Sequence, residues 1–331
     1  MLKVFITHTP EALTKYYGQK PLSMLRALAT VYINKSPAPL SPTDLITVAE
    51  NCHVIVADRN TIAPAKVFRA LPRLCAFVRV AVDISNIDVI TASEEGILVT
   101  RASPGFVVSV AELVFGFMID LSRGISYATS SYWKKILPNA LMGQQLSGKT
   151  LGIIGYGVIG KKIAEFGKFF EMRVVVHDPY AEIERLDIER KTLAEVLTSS
   201  DFVVCVAAAT AGTENLFNAG AFELMASHAF FINVARGSIV DEAALEIALR
   251  TGQIAGAAMD VGRAPDQMPS PSLAALPNVI ATPHIGGLTP EAVSHQALET
   301  VHQIADIIKG KVPAGAVNEK YAHRLEFLRR S

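Results

Sequence analysis

His284 and Arg236 are the side chains of this sequence whose type and setting best suit chemistry. His284 stands in ATPHIGGLTPEA, residues 281–292, between a proline and an Ile-Gly-Gly turn. An imidazole titrates near neutral pH in its ordinary state, so at an accessible turn it can both give and take a proton. Arg236 closes FFINVAR and is followed by Gly237; a guanidinium there can grip a carboxylate through two parallel N–H bonds. Each residue has a plainer reading, a packed histidine or an arginine pairing a surface acid, and residue type alone leaves both open. Position weighs toward chemistry. Each directly follows an apolar, β-rich run, and the carboxyl ends of strands face the ligand crevice in open α/β sheets.

A third feature is LGIIGYGVIGKKIA, which sets Gly155, Gly157 and Gly160 in G-x-G-x-x-G spacing. The pattern is weak by itself, but here it follows a predicted strand and opens a predicted helix. Gly155 would allow the tight turn, Gly157 the approach of backbone to a pyrophosphate, and Gly160 close helix–strand packing. The helix N-terminus then offers unpaired N–H groups to phosphate. Asp178 ends the next run, RVVVHD, about twenty residues on. A carboxylate there can accept both ribose hydroxyls of NAD and would repel a 2′-phosphate, so NAD(H) is expected over NADP(H).

These residues need a scaffold of parallel strands, and the rest of the chain supplies one. KVFIT, ATVYIN, HVIVAD, CAFVRVAV and ILVTR recur through the first hundred residues, separated by polar or helical segments. A second series, TLGIIGYG, RVVVHD, FVVCVAA, AFFINVA, AGAAMD and VIATPH, alternates with segments of helical length and suits a six-stranded doubly wound sheet. The stretch from Ser109 to Trp133 has helical periodicity and an apolar face long enough to pack on a partner. TPEAVSHQALETVHQIADIIKG reads as a long amphipathic helix ending at Gly310, and YAHRLEFLRRS reads as a mobile tail. At 331 residues, two domains are expected.

Lys plus Arg and Asp plus Glu both number 31, so nothing points to nucleic acid or an anionic membrane surface, and a small-molecule ligand is favoured. Cys52, Cys75 and Cys205 lie in apolar contexts without C-x-x-C spacing. They read as reduced thiols, with no disulfide framework and no metal site, and fit a cytoplasmic enzyme. The N-terminus lacks a signal-type apolar region, and no apolar run approaches the roughly 18 residues of a spanning helix.

Taken together, NIDVITASEEGILVTRASPG, SVAEL, LSGKTLGIIGYGVIG, HDPY, INVARGSIVDEAAL, AAMDV, TPHIGGLTPEA and PAGAVN resemble the NAD-dependent D-2-hydroxyacid dehydrogenases, over most of the chain and in the family's order. The family includes glycerate and phosphoglycerate dehydrogenases and glyoxylate and hydroxypyruvate reductases. The resemblance implies an α/β fold of two domains: a flavodoxin-like substrate domain, residues 1–103 and 288–331, with a Rossmann NAD-binding domain, residues 104–287, inserted in it. It implies a substrate cleft between the domains and a homodimer joined through the NAD domain. It assigns Arg236 to the substrate carboxylate and 2-oxo group, and His284 to general acid and base catalysis. Coenzyme contacts would come from Gly155, Tyr156, Gly157, Val158, Ile159, Gly160, Asp178, Ala207, Thr213, Val234, Ala235, Arg236, Asp260, His284 and Gly286, with Asp260 meeting the nicotinamide carboxamide. Interconversion of a small D-2-hydroxy acid and its 2-oxo acid is the activity implied. The alternative is an NAD(H)-responsive regulator of the corepressor kind with weak or no turnover.

The chain departs from the family at two points. After its DV the family has a glutamate-proline pair whose glutamate fixes the catalytic histidine; here MDVGRAPDQMPSPSL puts Pro265 at the glutamate position. Asp266, one residue on, is the expected catalytic substitute, and Gln267 a weaker one. In RVAVDISNID, Ala81 and Asp83 occupy glycine positions of a stretch whose amides bind the substrate carboxylate. Val82 and Asp83 remain the substrate residues expected there. An acid facing a carboxylate disfavours binding unless a cation such as Arg79 or Arg101 offsets it, and it argues against phosphorylated substrates.

Overall fold

The computed structural model describes residues 2–183 and 185–329. It divides into two compact units. One consists of residues 1–105 and 290–331, the other of the intervening Phe106–Thr289. The chain thus leaves the first unit once and returns to complete it.

The first unit is built on five parallel strands: β1 (Lys3–Ile6), β2 (Thr30–Ile33), β3 (Val54–Ala57), β4 (Ala76–Arg79) and β5 (Leu98–Thr100). Their order is β2-β1-β3-β4-β5, the flavodoxin-like arrangement. Alternate residues of each strand serve opposite faces. Val4, Ile6, Val54, Val56 and Val78 enter one core, while Phe5, Ile55, Ala57 and Phe77 enter the other. Covering both faces is what makes these strands nearly continuous in apolar residues. The returning helix Pro290–Ile308 places Ala297, Val301, Ile304 and Ile307 in the first of those cores. Its buried Gln303 accepts from the Thr100 hydroxyl at 2.8 Å and donates to the carbonyls of Arg101 and Ala314 at 2.9 Å each.

The segment read as a mobile tail is docked instead. Asn318 accepts from Val99 N–H at 2.8 Å and donates to Ile97 O at 2.9 Å, extending the edge of β5. The Arg324 guanidinium donates to Leu71 O, Leu74 O and the Glu95 carboxylate. A short helix, Leu325–Arg329, follows; Arg330 and Ser331 lie outside the described residues. Arg324, one of the polar residues that suggested a tail, anchors it, and Asn318 fixes the chain just before it.

The second unit holds seven parallel strands: β6 (Thr150–Ile154), β7 (Arg173–His177), β8 (Glu189–Arg190), β9 (Phe202–Cys205), β10 (Phe230–Asn233), β11 (Gly256–Met259) and β12 (Val279–Ala281). The order β12-β11-β10-β9-β6-β7-β8 is a doubly wound Rossmann sheet with its switch point between β6 and β9. The sequence showed six of these strands. The seventh, β8, is two exposed residues with no apolar pattern to reveal it. Both faces of this sheet are covered as well, with Val203 and Phe231 on one side and Val204 and Ile232 on the other.

The periodic stretch expected as one helix from Ser109 to Trp133 is two, Val107–Arg123 and Ile125–Trp133. Gly124 separates them in the left-handed region at φ 63°, which glycine adopts without steric cost. Among the described residues no helix is long and apolar enough to cross a membrane, and no group of three or more His, Cys, Asp or Glu is arranged to hold a metal.

His8, just beyond β1, is buried, and burial first, with the Arg79 charge acting the same way, pulls its imidazole down to about 4 against an opposing Asp58. Between about pH 4 and the ordinary value of 6.5 the unfolded chain binds the proton and the folded one does not, so stability falls as pH drops through that window. His8→Gln should flatten this fall by a few kcal/mol. Urea unfolding of both proteins at about pH 7 and about pH 4.5 measures it; equal slopes for the two would exclude His8 as the source.

Candidate active site

In the second unit, parallel pairing brings the strand ends into register. Asn233 of β10 pairs with Cys205 and Met259, Met259 with Ala281, and Ile154 of β6 with Cys205 and His177. The segments carrying Gly155, Asp178, Ala207, Arg236, Asp260 and His284 therefore emerge from one edge of one sheet. Arg236 and His284 arise from strands two apart, about 10 Å at the usual spacing.

The glycine loop has the geometry a dinucleotide requires. Gly155 sits at φ 99°, and a Cβ there would lie 2.7 Å from the Ala207 backbone. A Cβ on Gly160 would overlap the carbonyl oxygen of Gly155. At Gly157 nothing lies within 4 Å of where a Cβ would stand, so that space is open. Gly157 begins the helix Val158–Phe169 without a side-chain cap, so the N–H groups of Val158, Ile159 and Gly160 are left to an anion. Tyr156 follows Gly155 in the loop. Its ring is buried in the core, and its N–H donates to the Asp178 carboxylate at 2.7 Å. Asp178 also accepts from Tyr180 and Ala181 N–H, both at 2.9 Å. Burial alone would raise this carboxyl, and the three backbone donors outweigh it and hold it below the usual range. It is an ionised acceptor with lone pairs left for ribose hydroxyls. Further along the edge, the Thr213 hydroxyl donates to Ala208 O at 2.7 Å, shaping the loop after Ala207. Val234 and Ala235 are buried at the end of β10.

Arg236 is exposed beyond this turn, and its Nη1 donates to Ala235 O at 2.7 Å. The turn is held by Asn233, buried, which accepts from Ala235 N–H at 3.0 Å and donates to Arg236 O at 3.2 Å. Asn233 was not singled out from sequence, although a polar residue inside the apolar run FFINVA was a visible signal.

The His284 turn is organised by Asp260. This carboxylate, 3% exposed, accepts from the Thr282 hydroxyl at 2.6 Å and from the N–H groups of Ile285 and Gly286 at 2.8 Å each. The Asp260 carbonyl accepts His284 N–H at 3.0 Å. His284 itself lies at φ 56°, in the left-handed region. Its Nδ1 lies 3.0 Å from the main-chain carbonyl oxygen of Asp266. A carbonyl can only accept, so Nδ1 carries the proton and Nε2 is left for chemistry. Asp266 does reach the histidine, and its main-chain carbonyl makes the contact to Nδ1 where its carboxylate was expected.

In the first unit, Val82 and Asp83 lie on the segment after β4. Neither Ala81 nor Asp83 has positive φ, so their backbone conformations do not demand glycine. Asp83 accepts from Ser85 N–H at 2.8 Å. Arg79 is fully buried; it donates to Asp58 O, to Thr61 O at 3.2 Å and to Asn86 Oδ1. Burial lowers its guanidinium to about 10, against the opposing charges of Asp58 and Asp83.

The two glycines separate a ligand role from a packing role. Gly157→Ala should leave urea stability within about 0.5 kcal/mol of the parent while weakening NADH binding at least about tenfold, read by fluorescence titration. Gly160→Ala should cost about 1–3 kcal/mol of stability. Unchanged NADH affinity in Gly157→Ala would remove the loop from coenzyme binding.

Comparison with known proteins agrees with this geometry. Residues 115–286 match the family model described as D-isomer specific 2-hydroxyacid dehydrogenase, NAD binding domain. A D-3-phosphoglycerate dehydrogenase of Archaeoglobus fulgidus is 34% identical over 286 residues, 84% of this chain and 54% of the relative. The chain spans about half the length of the curated relatives it matches. A crystal structure of a Thermus thermophilus protein superposes with a TM-score of 0.83 at 29% identity, covering 96% of this chain and 100% of the other. The apo structure of D-lactate dehydrogenase from Escherichia coli gives 0.80 over the same shares at 24% identity, a likeness of fold. The chain belongs to the D-isomer specific 2-hydroxyacid dehydrogenase family and carries that family's NAD-binding domain.

Proposed function

We propose that this protein interconverts a small D-2-hydroxy acid and its 2-oxo acid with NAD(H). The observation that carries the reading is the imidazole of His284, held with Nδ1 protonated on the same sheet edge as Arg236 and the glycine loop. The bound coenzyme would supply or accept the hydride at the substrate C2. Arg236 grips the substrate carboxylate and polarises the 2-oxo group. His284 donates a proton from Nε2 to the oxygen that becomes the hydroxyl, and in the oxidative direction Nε2 removes it. The Asp266 carbonyl accepts from Nδ1 in both protonation states, so the ring keeps one orientation through the cycle.

Asp178 would accept from the ribose, the N–H groups of Val158, Ile159 and Gly160 would meet the pyrophosphate, and Ala207, Thr213, Val234, Ala235 and Gly286 would line the coenzyme. Tyr156 contributes through its backbone. Beyond organising its turn, Asp260 is assigned to the carboxamide. Val82 and Asp83 offer backbone N–H groups to the substrate carboxylate. The engagement of Arg79 with main-chain carbonyls and Asn86 supports an unphosphorylated substrate. The regulatory alternative drew its force from the missing glutamate, and the Asp266 carbonyl weakens it by filling that glutamate's orienting role.

We also infer a cytoplasmic homodimer. The helix Ile125–Trp133 buries none of its residues, and Trp133, Leu137 and Met142 are 81%, 82% and 100% exposed. Apolar exposure on that scale is unusual for a monomer. All three cysteines are free and buried, in keeping with a reducing compartment.

Following NADH absorbance with glyoxylate, hydroxypyruvate, pyruvate and phenylpyruvate tests the activity. His284→Asn should lower kcat by about 10²–10⁴-fold with NADH binding retained, and Arg236→Lys should raise KM and lower kcat/KM. Tight NADH binding without turnover across the panel would instead favour the regulator. For the dimer, Trp133→Glu with Leu137→Glu should shift light-scattering mass from two chains toward one; a parent that runs as a monomer would refute the assembly.

A further inference from the structure

Two successive residues that are not glycine, Asp266 and Gln267, both sit at φ 58° in the loop whose carbonyl meets His284. Such a pair does not hold its shape unaided. Part of the support is internal. Gly262 N–H donates to Gln267 O at 2.8 Å, Ala264 N–H to Met268 O at 3.0 Å, and Met268 N–H to Pro265 O at 3.3 Å. Further support comes from the side chain of Glu242, the first residue of the helix Glu242–Arg250. One of its carboxylate oxygens accepts Arg263 N–H at 2.9 Å, and the other accepts the Ser270 hydroxyl. Glu242 therefore clasps the loop at both ends.

The clasp also reaches the other candidate catalytic segment. Arg263 Nε donates to Val240 O at 3.1 Å, and its Nη2 to Ser238 O at 2.9 Å and Asn215 Oδ1 at 2.5 Å. Ser238 and Val240 belong to the stretch directly after Arg236. The loop that orients His284 and the segment that presents Arg236 are thus tied together through Arg263 and Glu242.

We propose that Glu242 is a positioning residue for His284: by clasping residues 263 and 270 it fixes the Asp266 carbonyl that holds Nδ1–H, a task otherwise left to a carboxylate contacting the ring. The proposal rests on the reading of His284 as the proton-transferring group, but its first test does not depend on turnover.

That test is ¹⁵N NMR of the histidine rings in the full chain without coenzyme, with the His284 signal identified by its loss in His284→Asn. The neutral parent should show the Nδ1–H tautomer. Glu242→Ala should give a mixture of tautomers, Glu242→Gln should restore Nδ1–H, and Ser270→Ala, which removes one arm of the clasp, should lie between. In the enzyme assay Glu242→Ala should lower kcat roughly 10- to 100-fold, the scale of a small misplacement of a reacting group, with KM for NADH changed less than about twofold. Glu242→Gln should recover most of kcat. If Glu242→Ala does not fold, Ser270→Ala carries both readouts. An Nε2–H tautomer in the parent, or parent-like tautomer and kcat in the clasp variants, would overturn the proposal. So would loss of the Nδ1–H tautomer in Asp266→Asn, because the carboxylate would then be the holder. A parent that turns over no 2-oxo acid but shows Nδ1–H lost on breaking the clasp would refute the catalytic reading and leave the positioning role standing.

Discussion

The site depends most on a single buried carboxylate. Asp260 directly follows β11, between the strands that lead to Arg236 and to His284, and it is bonded in both directions. Its N–H donates to Asn233 O at 3.0 Å, beside the turn that presents Arg236. Its carbonyl and both carboxylate oxygens then gather Thr282, His284, Ile285 and Gly286. An ion as buried as this is tolerated when its lone pairs are filled by strong donors, and here two N–H groups and a hydroxyl fill them. Taking the carboxylate away would leave the buried Gly286 N–H unpaired, at about 1–3 kcal/mol, and two part-buried donors at less. The left-handed backbone at His284 persists because the surrounding bonds over-determine it.

The sheet explains why such short segments suffice. Parallel strands point their carboxyl ends the same way, so every β-to-α connection in the second unit starts at one edge. Chemistry from distant parts of the sequence collects there without long loops. The cost of parallel pairing is that both faces must be covered, and the cores on each side of the two sheets meet it. A covered sheet is stiff, and its stiffness passes to Asn233, Asp260 and the turns they brace.

This logic also separates what was legible in the sequence from what was not. Strands such as VIVA and FVVC announce themselves because burial on both faces removes polar residues, whereas Glu189–Arg190 pairs only along an exposed edge and leaves no hydropathy signal. The periodicity from Ser109 holds to Arg123, whose helix buries an apolar face, whereas the helix beyond Gly124 buries none of its residues. The C-terminal stretch misled for another reason: Arg324 looks like a solvated cation until the carbonyls it binds are known. At the candidate site, residue types pointed to Arg236, His284, Asp178 and the glycines, since each could offer its side chain, or its lack of one, to a ligand. Glu242 and Arg263 were not disclosed. Their partners, backbone and side-chain atoms alike, lie some 20 to 50 residues away, and an acid at the start of a helix has an ordinary explanation in the helix dipole.

The replacement of a side-chain carboxylate by a carbonyl follows the same reasoning. With Pro265 at the glutamate position, no residue there can offer an acceptor through its side chain, and a proline also fixes its own φ. The chain turns next through two left-handed residues. That conformation costs on the order of 1–2 kcal/mol for each residue with a Cβ, somewhat less for aspartate than for most. It swings a carbonyl toward the ring in exchange. A carbonyl differs from a carboxylate in one respect that matters: it accepts one proton direction and carries no charge. It can therefore select the Nδ1–H tautomer as firmly as an acid would, while the orientation it imposes depends wholly on how rigidly its own backbone is held. A side-chain acceptor brings its flexibility with it and can follow a moving ring, but a main-chain acceptor cannot. The substitution at Pro265 thus transfers the burden of precision from one side chain to a loop, and from the loop to whatever clamps its ends.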